Sequence, residues 1–161
     1  MSLFYFSCSS QLRLQIKTNQ LIKTSYIKAD TIYLYSVAFN DFNFIWYHKD
    51  NFIHSFYVKP YKTKKYKPIE AKNIAVNSDS INKYFDNPSY YKGTQCFEQM
   101  LDGEWIELYV KRKKSVMFSS IDTECLFNTK FEPNSFPYKL QYDFSKIHRY
   151  INFDFEKMYS Q

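Results

Sequence analysis

The sequence predicts an α+β fold: a mostly antiparallel β-sheet of meanders and hairpins, one short central helix and a C-terminal helix. Three observations carry that expectation. Segments in which apolar and polar residues alternate recur along the chain, the pattern of strands buried on one face. Two pairs of such segments meet at turn-forming residues, around Lys49-Asp50-Asn51 and at Asp102-Gly103. Helical spacing of apolar residues shows in two places, near the middle of the chain and at its end. The chain has 161 residues, 45% apolar and 24% charged, enough to bury a core without disulfides or metals.

Taken in order, residues 11–24 alternate Leu12, Leu14 and Ile16 against Arg13, Gln15 and Lys17, which predicts a half-buried strand. Residues 25–39 read as a second strand, dense in β-branched and aromatic side chains from Thr31 onward. Residues 42–48 and 52–59 flank Lys49-Asp50-Asn51 and predict a hairpin closed by a three-residue loop or by a tight Asp-Asn turn. Pro60 ends its second strand, since it has no N–H to donate. A lysine-rich loop or edge ribbon follows over residues 61–68, then a short strand over 72–77.

Residues 78–88 predict a helix, with Ser78 as cap, Ile81, Tyr84 and Phe85 on one face, and Pro88 as stop. Asp102-Gly103 predicts a hairpin of residues 94–101 with 104–111, against a competing reading of 96–101 as a short helical turn leading into the strand from Glu104, and Arg112–Lys114 turns the chain into a further strand at 115–121. The C-terminal helix carries Phe144, Ile147 and Ile151 on one face, with Asp143 as its cap.

The sequence speaks against most catalytic chemistries. Gly93 and Gly103 are the only glycines, so a glycine-rich phosphate loop cannot form. There is no Gly-x-Ser-x-Gly, and Asp143, Ser145 and His148 fall on a helix and its cap instead of a nucleophile elbow. Asp102, Glu107 and Lys111 have the wrong intervals for a nuclease carboxylate–lysine strand. Cys8, Cys96 and Cys125 form no Cys-x-x-Cys pair. His48, Asn51 and His54 suggest a metal site only if the three-residue loop puts both imidazoles on one face, and no further ligand lies nearby in sequence. Glu98 and Glu107 would face each other across a two-residue turn, a costly pairing unless it serves an acidic site. The expectation is a non-catalytic protein with no cofactor and no bound metal.

Charge points elsewhere. The net charge is +6, concentrated in Lys59, Lys62, Lys64, Lys65, Lys67 and Lys72 and in Lys111, Arg112, Lys113 and Lys114. Tyr57, Tyr61 and Tyr66 are interleaved with the first group. Lys62, Lys64, Lys65, Tyr66 and Lys67, with Lys111–Lys114, are therefore candidate contacts for an anionic ligand, such as a glycan, a lipid surface or single-stranded nucleic acid. Lysine outnumbers arginine there, which suits diffuse attraction over bidentate reading. Lysines also keep sheet edges from pairing with other chains, without any ligand.

One stretch bears on cellular address. The apolar run Leu3–Phe6, then Ser7, Cys8, Ser9 and Ser10, resembles the end of a bacterial lipoprotein signal: an apolar segment, a small residue, the cysteine that takes lipid, and a polar tether. Tyr5 and Phe6 depart from the usual residues, and no cation precedes Arg13. The resemblance implies lipid on Cys8 and a place at the cell envelope, with residues 11–161 as a single α+β domain acting as a binding or structural module. The alternative reading of the same residues is an N-terminal edge strand of a cytoplasmic protein that binds and regulates another protein.

Overall fold

The structure, a computed structural model, describes residues 3–37, 41–74, 76, 104–110 and 123–159. Helix α1 (Leu3–Ser25) leads into strand β1 (Thr31–Val37). A hairpin of β2 (Asn43–Lys49) and β3 (Phe52–Val58) follows, then short β4 (Thr63–Lys65) and β5 (Ile69–Glu70). Strand β6 (Glu104–Val110), helix α2 (Thr123–Asn128) and helix α3 (Phe136–Tyr159) complete the described elements. The strands form one sheet in the order β4-β3-β2-β1-β6, with β5 also on β3, and every pairing is antiparallel. The α+β class expected from the sequence is the class observed.

The sheet is buried on both faces. Tyr33, Tyr35, Phe44, Trp46, Ile53 and Tyr57 pack with Ile106 beneath Phe136, Leu140, Phe144 and Ile147 of α3. Ile32, Leu34, Ile45, Tyr47 and Val58 pack on the other face beneath Leu14 and Ile22 of α1. Burial on two faces explains why β1 reads as an almost unbroken apolar run, Ile32–Tyr35, with no clean alternation.

The largest correction is at the N-terminus. Residues 3–6, for which an edge strand was the alternative to a signal tail, and 11–24, expected as a half-buried strand, are one continuous helix that ends at Ser25. Residues 3–25 contain no Gly or Pro and are rich in Leu, Gln, Lys and Arg, all of which enter helices readily. The face on the sheet comprises Leu14, Thr18, Ile22 and Ser25, a four- and three-residue spacing in which two members are polar. Thr18 is there for a reason. Its Oγ1 accepts a hydrogen bond from Asn43 Nδ2 at 3.0 Å, and Asn43 Oδ1 accepts one from Ser36 Oγ at 2.9 Å, a chain that pins α1 to β2 and β1. Residues 26–30, also expected in a strand, are the turn that leaves this helix.

The β2–β3 hairpin closes through two residues. Asp50 (φ 51°) and Asn51 (φ 62°) are both left-handed, the signature of a type I′ turn, which Asn and Asp tolerate better than most residues. Lys49 therefore pairs with Phe52, and His48 with Ile53. At the other end of β3, Lys59 and Lys62 exchange backbone hydrogen bonds around Pro60-Tyr61, so Pro60 turns the corner into β4. The strand expected at 72–77 does not form over the described residues 72–74 and 76; a turn closes there from Ile74 N to Lys72 O.

Helix α3 begins at Phe136, not at Asp143. Glu132-Pro133-Asn134-Ser135 makes a turn with Asn134 left-handed (φ 66°), and Ser135 Oγ accepts from Tyr138 N at 3.3 Å as the cap. Pro137 is harmless in the first turn, where its missing N–H is not needed. Asp143 lies in the second turn, facing the sheet. Helix α2, unforeseen in the sequence, is tied to α3 by Gln141 Nε2, which donates to the Leu126 and Thr129 carbonyls at 2.5 and 3.0 Å. The expected helix at 78–88, the strands at 94–101 and 115–121, Glu98 and Cys96 lie outside the described residues.

Candidate functional site

The lysine-rich stretch is an edge. Strand β4 pairs with β3 alone among the described strands, which leaves its second side unpaired there. Register sorts its lysines. Lys65 stands opposite Phe56, on the α1 face, and Lys64 opposite Tyr57, on the α3 face, where its Nζ lies 4.6 Å from the centre of the Tyr66 ring. Lys62, Lys65 and Lys67 are exposed and form no ion pair among the described residues.

The interleaved tyrosines divide. Tyr57 and Tyr66 are core residues, Tyr57 stacked on Phe42 at 5.0 Å and Tyr66 on Tyr150 at 4.5 Å. Neither is a platform for stacking a ligand's rings, so Tyr66 leaves the set of candidate contacts. Tyr61, at 71% exposure, is the surface aromatic of the three, and the Arg13 guanidinium of α1 lies 5.1 Å from its ring centre. That contact joins α1 to the ribbon, so Arg13 and Lys17 extend the basic surface. Nothing local signals this contact, because Arg13 and Tyr61 are far apart in the chain.

His54 lies beside this edge and feels the charge of Lys65. Its ring stacks on Tyr47 at 5.2 Å, on the α1 face. Burial first, then the positive charge of Lys65, push its pKa below the ordinary histidine value; a Lys49 backbone hydrogen bond opposes them, and the charges of Lys49 and Asp50 follow with opposite signs. A proton is disfavoured there; an anion would be welcome.

His48 went the other way. The two-residue turn puts it on the α3 face, opposite to His54, so the two imidazoles share no site. Its partners come from α3. His48 Nε2 lies 2.6 Å from Asp143 Oδ2, Lys139 Nζ lies 2.9 Å from the same oxygen, and Nζ and Nε2 are 2.8 Å apart. Asp143 is 1% exposed, and its charge, after burial, helps to push the Tyr33 phenol up. No single protonation pattern makes all three contacts hydrogen bonds. With a proton on Nε2, imidazole and ammonium both donate to the carboxylate and meet each other as donors. With Nε2 bare, it accepts from Lys139 but faces a carboxylate oxygen that must itself carry a proton to bond it. Asp143 Oδ1, Trp46 Nε1 and Ser55 Oγ are buried on this face without hydrogen-bond partners among the described residues. The cluster clamps α3 to β2 through charge.

Of the candidate residues, the structure brings Lys62, Lys65 and Lys67 to one edge, turns Lys64 to the other face, and buries Tyr66. Lys111, Arg112, Lys113 and Lys114 lie outside the described residues. Cys8 falls within α1, and Cys125 within α2. Glu107 pairs with Leu34 on β1. Among the described residues no group of three His, Cys, Asp or Glu could hold a metal, and no helix is long and apolar enough to cross a membrane. Comparison with protein-family models, with curated proteins and with solved structures yields no match to this chain.

Proposed function

We propose that the protein is a non-catalytic binding domain of the cell envelope, whose basic sheet edge rests against an anionic surface and whose Cys8 is the point of lipid attachment. The observation that carries the reading is the row of exposed lysines, Lys62, Lys65 and Lys67, unpaired with carboxylate among the described residues and adjoining Arg13 on α1. A lysine near an anionic leaflet contributes about 1 kcal/mol, and lysine's mobile point charge suits a fluid layer of headgroups that presents no fixed phosphate geometry. Acyl chains on Cys8 would make the association lasting, since each buried methylene adds about 0.8 kcal/mol.

The test is partitioning of the full chain onto vesicles of phosphatidylglycerol and phosphatidylcholine, against vesicles of phosphatidylcholine alone. Binding to the anionic vesicles is expected to fall as salt rises, and Lys62→Gln/Lys65→Gln/Lys67→Gln is expected to weaken it on the order of a hundredfold at low salt. Equal binding of wild type and triple variant would refute the role of the edge. Mass spectrometry of protein from its native cells is expected to find the Cys8 thiol acylated; an intact thiol removes the anchor. Tighter, salt-sensitive binding to single-stranded nucleic acid than to vesicles would move the protein to a different class.

A further inference from the structure

We infer that the outer face of α1 inserts shallowly into the interface of an anionic membrane, with Leu12 and Ile16 as the inserted residues; this rests on the envelope reading above. Helix α1 is apolar on two opposite sides. Leu14 and Ile22 face the sheet, which accounts for them. Leu12 and Ile16, one turn apart on the far side, are 57% and 50% exposed, and nothing in the sheet–helix packing requires them.

The surroundings specify the partner. Residues 3–25 contain no Asp or Glu at all; their charged residues are Arg13, Lys17 and Lys23. Arg13 and Lys17 flank the Leu12–Ile16 stripe on the side toward Tyr61 and the lysine edge. Apolar stripe, cationic border and an exposed tyrosine form one continuous surface, the arrangement of a helix lying in the headgroup region. Because the inner face of α1 lies along β2 and β3, its axis runs along the molecular surface, and its outer face over residues 9–25 can meet a plane along about 25 Å. A second copy of this helix is a poor alternative: pairing two outer faces would gather six cations with no acid in either helix to neutralise them.

The experiment uses the full, unacylated chain and the same two vesicle compositions, with Leu12→Ser/Ile16→Ser beside the triple lysine variant. Both substituted positions are exposed, and an unchanged circular dichroism melt confirms that the fold survives. The double variant is expected to lose about tenfold or more in partitioning onto anionic vesicles, a loss that persists at high salt where the lysine effect has faded. Leu12→Trp is expected to shift its emission to the blue on binding and to be quenched by lipids brominated near the headgroup end of their chains. Wild-type partitioning by the double variant, with no shift from L12W, overturns the insertion and leaves the lysine edge standing. Failure of wild type to bind anionic vesicles at all overturns both. A concentration-dependent dimer that the double variant dissolves, seen by light scattering, assigns the face to a second copy and overturns the inference.

Discussion

Asp143 is the residue on which the α3 face of the sheet turns. Its carboxylate meets a lysine on its own helix and a histidine on β2, at 2.9 and 2.6 Å. Removing one partner of a buried ionic cluster strands the rest. Asp143→Ala is accordingly expected to cost about 3–5 kcal/mol, toward the lower end because Lys139 and His48 retain some exposure, read from the urea midpoint. Replacing all three together, as His48→Leu/Lys139→Met/Asp143→Leu, is expected to recover most of that loss, since apolar groups of similar volume often match a buried cluster in stability. A single-residue effect of opposite sign belongs to Ser55. Its buried hydroxyl lacks a hydrogen-bond partner among the described residues, so Ser55→Ala is expected to stabilise by about 1 kcal/mol in the same titration. None of this was legible in sequence. Asp143 precedes an apolar helical run, which is where a cap would stand, and the histidine that holds it lies 95 positions earlier.

At the scale of the element, α1 shows how a helix can pass for a strand. Leu12, Leu14 and Ile16 alternate with Arg13, Gln15 and Lys17, and a two-residue period fits them without a break. The helical period is carried by Leu14, Thr18, Ile22 and Ser25, half of them polar, and the hydrogen bond that brings Thr18 inward depends on Asn43. A reading limited to apolar spacing has no access to that. The two assignments differ in a measurable way. In a strand the three apolar residues would be equivalent; in α1 they are not. Leu14→Ala is expected to cost about 2–4 kcal/mol, whereas Leu12→Ala and Ile16→Ala should each change stability by less than about 0.5 kcal/mol. Equal losses at all three positions, from thermal or urea unfolding, would contradict the helix. The β2–β3 hairpin was legible because its information is local: two alternating runs and two residues that accept left-handed φ. Even there, one residue of loop length decided which face each histidine took, and with it whether a metal site was conceivable.

At the scale of the molecule, the sheet separates two electrostatic environments. On the α3 side, charges are buried and compensated around Asp143; on the α1 side, burial first, and then the positive charge of Lys65 and Lys49, hold the His54 pKa down. The sign of the pH response follows. With its folded pKa below the unfolded value of 6.5, His54 binds fewer protons in the folded chain than in the unfolded one between those two values. Stability should therefore be unaffected by His54 above about pH 6.5, decline as pH falls below it, and stop declining once pH passes the folded pKa. His54→Gln removes this contribution. Urea midpoints of wild type and variant, compared from pH 7.5 down to pH 5, are expected to diverge in favour of the variant as pH falls, and the divergence should shrink at high salt as Lys65 and Lys49 are screened. Binding of an anionic partner on this side would reverse the field. An anionic surface docked on this side would supply negative charge beside the lysines and raise the His54 pKa, so docking takes up a proton and, by linkage, strengthens as pH falls through the histidine range. Nuclear magnetic resonance of the His54 ring, with and without anionic vesicles, measures this directly. An upward move on binding locates the anion on the α1 side, and an unmoved His54 beside a bound vesicle would place the contact on some other face.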